Sequence, residues 1–468
     1  MRAENAADRR DFRKRARCCA NRAPPGHGCH SRGTPVNQLN IVTRKIFYGW
    51  YIVGVGFICY LGSSFALSST LSIFLKPLTA EFGISRGVFS FIRSGEVMFS
   101  SVIAALVGPL IDRYGARWLI VTGALVGGTG FILLSQVQEF WQFMVGRWLP
   151  VTVGDTLMSY MVVNVMISRW FIRKRGRAIS VANTGNGLAK ASMPLLAVWL
   201  FALVGWRNTW MVFGLLTLAM VVLPAFLVVR RSPEDMGLQP DGALAPHQPS
   251  PGKPSEQPVF QAPAADVTWT RGEAVRTGTF WLLVVTYGTV TFGIIGLNLH
   301  IYPYITDIGY SPGIAATVMA VMSLTQMAGN LIWGVVGEHI DVRKAAAAQF
   351  LLQVCGLGLA LAPWGLASVY LGFVIYGFGL GGILVIRELL WANYFGRVSL
   401  GRVRNLGIMI TRIGTTVGPP FFGFFHDYTG SYSLSFSVFI GALLVSALLV
   451  LAIQPPHKPG SGVGNEAL

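Results

Sequence analysis

Between residues 48 and 453 the chain passes through twelve predominantly apolar runs of about twenty residues, separated by polar stretches. At 1.5 Å per residue, about twenty apolar residues cross the hydrocarbon core of a bilayer as a helix. The runs fall near 48–73, 88–110, 118–136, 140–166, 178–204, 208–229, 279–303, 312–336, 345–363, 367–392, 405–425 and 432–453. Membrane strands alternate apolar and polar residues over about ten positions, and runs such as 211–229 do not alternate. Of 468 residues, 53% are hydrophobic and 12% charged, against about 25% charged in soluble proteins. This excludes a soluble enzyme, a disordered regulator and a disulfide-stapled secreted domain. The expected fold class is an all-α membrane protein with twelve transmembrane helices in a lipid bilayer.

A net charge of +17 could suit nucleic acid, but the positions of the charges say otherwise. With the amino terminus cytoplasmic, 29 of the 37 Lys and Arg fall on cytoplasmic segments. Only Lys76, Arg86 and Arg207 face the other side, while Arg93, Arg147, Lys190, Arg387 and Arg412 lie within spans. This is the positive-inside bias. It predicts an inner-membrane protein with both termini cytoplasmic and no nucleic-acid partner.

Residues 231–276 contain eight prolines and read as a cytoplasmic linker between two six-helix bundles, 45–230 and 277–455. Residues 1–44 read as a disordered basic tail and 456–468 as a second disordered tail. Cys18, Cys19, His27, Cys29 and His30 match no structural zinc spacing, so no metal or other cofactor is expected. Cys59 and Cys355 sit in apolar spans as small packing residues.

The two halves echo each other at an offset near 226. Gly108-Pro-Leu-Ile-Asp112-Arg113-Tyr-Gly115-Ala-Arg117 follows span two, and Gly334-Val-Val-Gly-Glu338-His-Ile-Asp-Val-Arg343 follows span eight. Trp170-Phe171 corresponds to Tyr394-Phe395, and Gly205-Trp206-Arg207 to Gly430-Ser431-Tyr432. Duplicated six-span units mark secondary transporters with a midplane site between halves. The stretch 108–117 resembles the loop-2/3 signature of the major facilitator superfamily. Within that superfamily, Tyr48-Gly49-Trp50, Arg175-Gly176-Arg177-Ala178, Gly205-Trp206-Arg207, Asn393-Tyr394-Phe395-Gly396-Arg397 and Phe425-His426-Asp427-Tyr428-Thr429-Gly430 resemble the bacterial monocarboxylate and oxalate–formate exchanger branch. The resemblance covers about 45–455. It implies two pseudo-symmetric bundles, a conformational latch at Gly108, Asp112, Arg113, Gly115 and Arg117 with a copy at Glu338 and Arg343, and an anion-binding cation near Arg412.

Charges inside a bilayer cost about 2.5–3.5 kcal/mol on insertion scales and mark function by default. For Arg412 the alternatives are substrate contact or a structural pair with Glu388 or Asp155. Arg387 and Glu388 are adjacent and point about 100° apart; Arg387 is the cavity candidate and Glu388 a counter-ion to Arg387 or Arg412. Asp155 and Lys190 lie near the middles of consecutive spans, and mutual neutralisation is the favoured reading. The alternative makes Asp155 a protonatable coupling group and Lys190 an anion ligand. Arg147 resembles the superfamily's span-four arginine and would pair near Arg93 and Glu96, which are themselves three apart on one face. Span eight lacks the cation usual in this branch and offers Gln326 and Asn330 instead, which weakens a dicarboxylate substrate. Tyr160, Asn164, Asn298, His300 and Trp391 are further polar or interfacial candidates.

Gly377-Phe-Gly379-Leu-Gly-Gly382 matches a dinucleotide fingerprint in letters only, because no strand precedes it and it lies within an apolar span. No HExxH, P-loop or GxSxG occurs, so enzyme activity is not expected. The reading is a monomeric secondary transporter working by alternating access. Its substrate is a small organic anion, a monocarboxylate, moved by proton symport or by anion exchange. The alternatives are an exporter of neutral or drug-like molecules, and a non-transporting membrane sensor.

Overall fold

The computed structural model describes residues 47–172, 174–239, 269–362, 364–395 and 400–456. The tail 1–44 with Cys18 to His30, linker residues 240–268, Gly396-Arg397 and residues 457–468 lie outside the described residues. The rest is almost wholly helical. Nine helical segments among the described residues are long and apolar enough to cross a bilayer. Two of them double back, Arg86–Leu134 at Gly115 (φ 79°) and Arg175–Val228 at Gly205 (φ 76°). Positive φ costs glycine no steric penalty, so each run becomes two spans. The twelfth span is Leu400–Thr429, whose Arg404, Arg412, threonines and paired prolines dilute its hydropathy.

The spans are α1 (Gly49–Phe82), α2 (86–114), α3 (116–134), α4 (Phe140–Trp170), α5 (175–204), α6 (206–228), α7 (Gly278–Asp307), α8 (Pro312–His339), α9 (Val342–Leu361), α10 (Leu366–Phe395), α11 (Leu400–Thr429) and α12 (Ser433–Leu451). Several outrun the apolar stretches that announce them, because hydropathy marks the hydrocarbon core and the helix continues past it. Lys76, assigned to a loop by sequence, lies inside α1.

In the first bundle α1 packs on α5, while α3 packs on α4 and α6. In the second, α7 packs on α11 and α12, and α10 on α8 and α9. The bundles meet through α2–α11, α5–α8 and α1–α7. One end of the molecule carries Arg113, Arg117, Arg175, Arg177, Arg230, Arg231, Arg343 and Lys344; it is the basic end, and the opposite one the far end.

Helices α1 and α4 depart from regular α geometry at mid-depth, and α10 is interrupted at Gly382. In α1 a 3₁₀ turn (Ser64–Ala66) and extended Leu67 separate Gly49–Ser63 from Ser68–Phe82. Serine and threonine hydroxyls compete for backbone groups, and here Thr70 Oγ1 donates to Ser64 O at 3.1 Å. In α4, Pro150 lacks an N–H, and Arg147–Val151 widens into a π turn.

Candidate functional site

A cavity of about 290 Å³ lies between the bundles, lined by residues of α1, α2, α5, α7, α8 and α10. Its charged lining is Arg93, Lys190 and Arg387, and none of its sixteen lining residues is an acid. Asn298, Gln326, Ser68 and Ser69 add hydrogen-bonding groups, and Ile294, Ile295, Ile383 and Leu384 form an apolar wall. Ser68 and Ser69 begin the second part of α1, so the positive end of a helix dipole also faces the cavity.

The three cations differ in their partners. Arg93 Nη1 lies 2.8 Å from Glu96 Oε2, and Arg387 Nη2 lies 3.4 Å from Glu388 Oε1. Lys190 has no ion-pair partner among the described residues. Asp155 does not pair with it; Ser63 Oγ donates to the Asp155 carboxylate instead. The expectation of mutual neutralisation fails because α4 and α5, though consecutive, face different neighbours at this depth. Asp155 turns to the break in α1, while the Lys190 carbonyl meets Ser323 of α8. Among the described residues, Lys190 is thus a cavity cation without a counter-ion.

Behind the cavity, Arg147 is fully buried and Glu96 4% exposed, with Nη2 2.5 Å from Oε1. Arg147 Nη2 also donates to Ala66 O at 3.1 Å, one of the carbonyls loosened by the α1 break. Arg93 and Arg147 therefore share Glu96, and Asp155 completes a four-charge cluster in the first bundle.

Arg412 does not line the cavity and pairs with neither Glu388 nor Asp155. It donates to Ser101 of α2 across the bundles. Glu388 lies between Arg387 and Arg404, 3.2 Å from the latter. Asn330 and Tyr160 are exposed outside the cavity, and Asn164 accepts from Tyr60 at 3.4 Å. His300 is buried between Ser90, Tyr432 and the Pro419 carbonyl, and Trp391 is buried against Phe280 and Phe395.

The two ends of the cavity differ. One turn beyond the Ser101–Arg412 contact toward the basic end, Ala105 is exposed and Met409 is 72% exposed. One turn beyond the approach of Met327 to Gly187, Leu331 is 73% exposed. The bundles part there. At the far end they are joined. Asp307 of α7 takes Lys76 at 2.6 Å and Arg86 at 2.5 Å. Asp427 accepts from the N–H groups of Arg86 (3.1 Å) and Gly87 (2.7 Å), capping the start of α2 from the opposite bundle. Pro420 cannot donate to Thr416 O, and Ser94 of α2 does so instead. The structure is closed at the far end and open at the basic end.

These closing residues were not among the sequence candidates. Their signal was the far side's scarcity of charge, with Lys76 and Arg86 facing Asp307 and Asp427. Asp307→Asn is expected to unlatch this end. Labelling of a cysteine introduced by Ser90→Cys, with Cys18, Cys19, Cys29 and Cys355 replaced by Ser to remove background, should rise several-fold with a membrane-impermeant maleimide; unchanged labelling would show that the ion pairs do not hold the end shut.

At the basic end the latch residues make contacts within their own bundle. Asp112, 80% exposed, lies 3.2 Å from Arg169, and its carbonyl accepts from Arg231. Arg113 covers the Tyr114 ring, and Arg117 the Phe226 ring. Gly108 borders open space, and Gly115 forms the turn. In the second copy Arg343 pairs with Asp341 at 2.8 Å rather than with Glu338, and this hydrogen bonding holds the Asp341 carboxyl below the usual carboxylate range.

The model of the Major Facilitator Superfamily matches residues 55–324 and 289–467. Monocarboxylate transporter 13 of Bos taurus is 24% identical over 88% of this chain and 90% of that protein. Monocarboxylate transporter 11 of Homo sapiens is 24% identical over 89% and 84%. The MFS-type transporter YhjX of Escherichia coli K12 is 22% identical over 75% and 82%. Among solved structures, a bacterial homolog of the human lysosomal transporter Spinster, in an inward-facing and unoccupied conformation, superposes with TM-score 0.65 at 17% identity, covering 87% of this chain and 94% of that one. The nucleoside transporter NupG superposes with TM-score 0.65 at 12% identity, covering 86% and 98%. These relatives are transporters rather than enzymes, and the twelve helices in two six-helix bundles are their fold. The chain is a multi-pass membrane transporter and belongs to the Major Facilitator Superfamily.

Proposed function

We propose that the protein carries a small organic anion, a monocarboxylate, across an inner membrane by alternating access. The observation that carries this reading is the cavity with three cations, no acid and an apolar wall between the bundles. An anion placed there gains an ion pair with Lys190 in a setting of low dielectric, while its hydrocarbon part meets Ile294, Ile295 and Ile383. The monocarboxylate relatives support the same class. The basic end faces the cytoplasm on the positive-inside argument, so the open cavity is the cytoplasm-facing state, and both termini lie on that side. The latch at Asp112 to Arg117 would engage when the basic end closes.

The test is a thermal-shift panel on purified protein with acetate, lactate, pyruvate and hexanoate, each beside its neutral amide, followed by counterflow in liposomes. At least one acid should stabilise the protein and exchange, and its amide should not. Stabilisation by amides alone would favour a carrier of neutral molecules. Binding without counterflow would indicate a sensor.

A further inference from the structure

The break in α1 joins two sites. Ser63, just before it, donates to Asp155; Ala66, within it, accepts from Arg147; Leu67, Ser68 and Ser69, just after it, line the cavity beside Lys190 and Arg93. Five residues of broken helix therefore separate the half-buried Asp155 carboxylate from the anion's surroundings. The charges around Asp155 are Arg93 and Glu96 from α2 and Arg147 from α4 itself. Alpha-1 adds Cys59 and Tyr60, whose hydroxyl bonds Asn164; α4 is interrupted at Met158 and extended Ser159, and Tyr160 opens its second part. The helices α3 and α6 have ionisable residues only at their ends, Arg117 and Arg207. Lys190 of α5 lies across the cavity wall.

Counting formal charge, Arg93, Arg147, Glu96 and ionised Asp155 sum to zero, and a proton on Asp155 leaves this cluster at +1. Arg93 belongs to both the cluster and the cavity, so that change is felt where the anion binds. We propose that Asp155 is the proton-binding group of this carrier, and that its protonation and anion binding favour each other through Arg93 and the broken segment of α1. The link rests on the organic-anion reading above. Reciprocity is thermodynamically required: whatever factor the proton adds to anion affinity, the anion adds to proton affinity. Asp155 and Lys190, the cavity cation without a counter-ion among the described residues, both belong to the first bundle, whereas Glu388 of the second bundle is held by Arg387 and Arg404.

The experiment measures affinity for the best-bound acid of the panel between pH 5 and 8, on the full chain in detergent, together with proton movement in liposomes loaded with a pH dye. In the unaltered protein, affinity should weaken by about tenfold per pH unit above a midpoint, the slope of one linked proton. Asp155→Asn should bind the acid with its low-pH affinity at every pH and move no protons with it. Ser63→Ala, which removes the hydroxyl that favours the ionised carboxylate, should shift the midpoint toward higher pH and keep the slope; it also serves if Asp155→Asn does not fold. Retention of the full pH dependence in Asp155→Asn, an unmoved midpoint in Ser63→Ala, or pH-independent affinity in the unaltered protein would each overturn the proposal while leaving an anion carrier in place. If no acid of the panel binds, the organic-anion reading fails, and this one with it.

Discussion

Lys190→Ala is expected to weaken binding of the transported acid by at least about thirtyfold and to abolish uptake at substrate concentrations near the unaltered protein's half-saturation. Truncating one member of a buried charge pair costs about 2 kcal/mol or more, and about 1.4 kcal/mol is a factor of ten. Arg93 and Arg387 already lean on Glu96 and Glu388, so neither can replace the missing ammonium without giving up a carboxylate. Lys190→Arg should recover part of the affinity, because the charge is restored with a different shape. Equilibrium binding of the labelled acid to purified variants separates this from a folding defect. Arg412→Ala provides the contrast. Since Arg412 binds Ser101 outside the cavity, its loss should alter turnover more than affinity. Intact affinity in Lys190→Ala with lost affinity in Arg412→Ala would reverse the assignment and restore the role that the family resemblance gives to span eleven.

Arg147→Ala should give the largest loss of stability of any single change considered. The guanidinium is fully buried and holds Glu96, itself 4% exposed, at 2.5 Å. Removing one member of such a pair leaves an uncompensated charge in a poor solvent and costs about 3–5 kcal/mol. Arg93 remains beside Glu96, which places the effect at the lower end, but the Ala66 carbonyl loses its donor as well. The variant should elute mostly as aggregate in fluorescence-detected size-exclusion chromatography, with a clearly lowered thermal midpoint. Arg147→Met combined with Glu96→Gln should recover most of the loss, because charge and counter-charge go together. A double variant no more stable than Arg147→Ala would show that packing against Trp210 is the dominant role of Arg147.

Much of the fold was legible because lipid imposes a length. Twelve apolar runs follow from hydrocarbon thickness and backbone hydrogen bonding, and Gly115 and Gly205 stand where the doubled helices turn. The ends were less legible, as Lys76 within α1 illustrates. Among the candidates, Arg93 with Glu96 and Arg147 follow from spacing and from the cost of a bare charge. Asp155 and Lys190 do not, because neighbours in sequence need not face each other in a bundle; their directions depend on the α1 break and on α8. Ser63, Ser94 and Ser101 carry no sequence signal at all, since serine is common in such helices and only the fold shows which carbonyl or carboxylate each one meets. Pro420 came nearest to a clue. A proline inside a span announces an orphaned carbonyl four residues earlier, and Thr416 is that residue.

That orphaned carbonyl bears on how the far side parts. Separating α2 from α11 withdraws the serine hydroxyl from a peptide oxygen that its own helix cannot serve, at a depth where lipid tails offer nothing in exchange. Only water can take over the bond. The far side must therefore wet as it splits, and the tempo of that movement is tied to how readily solvent molecules thread into the seam.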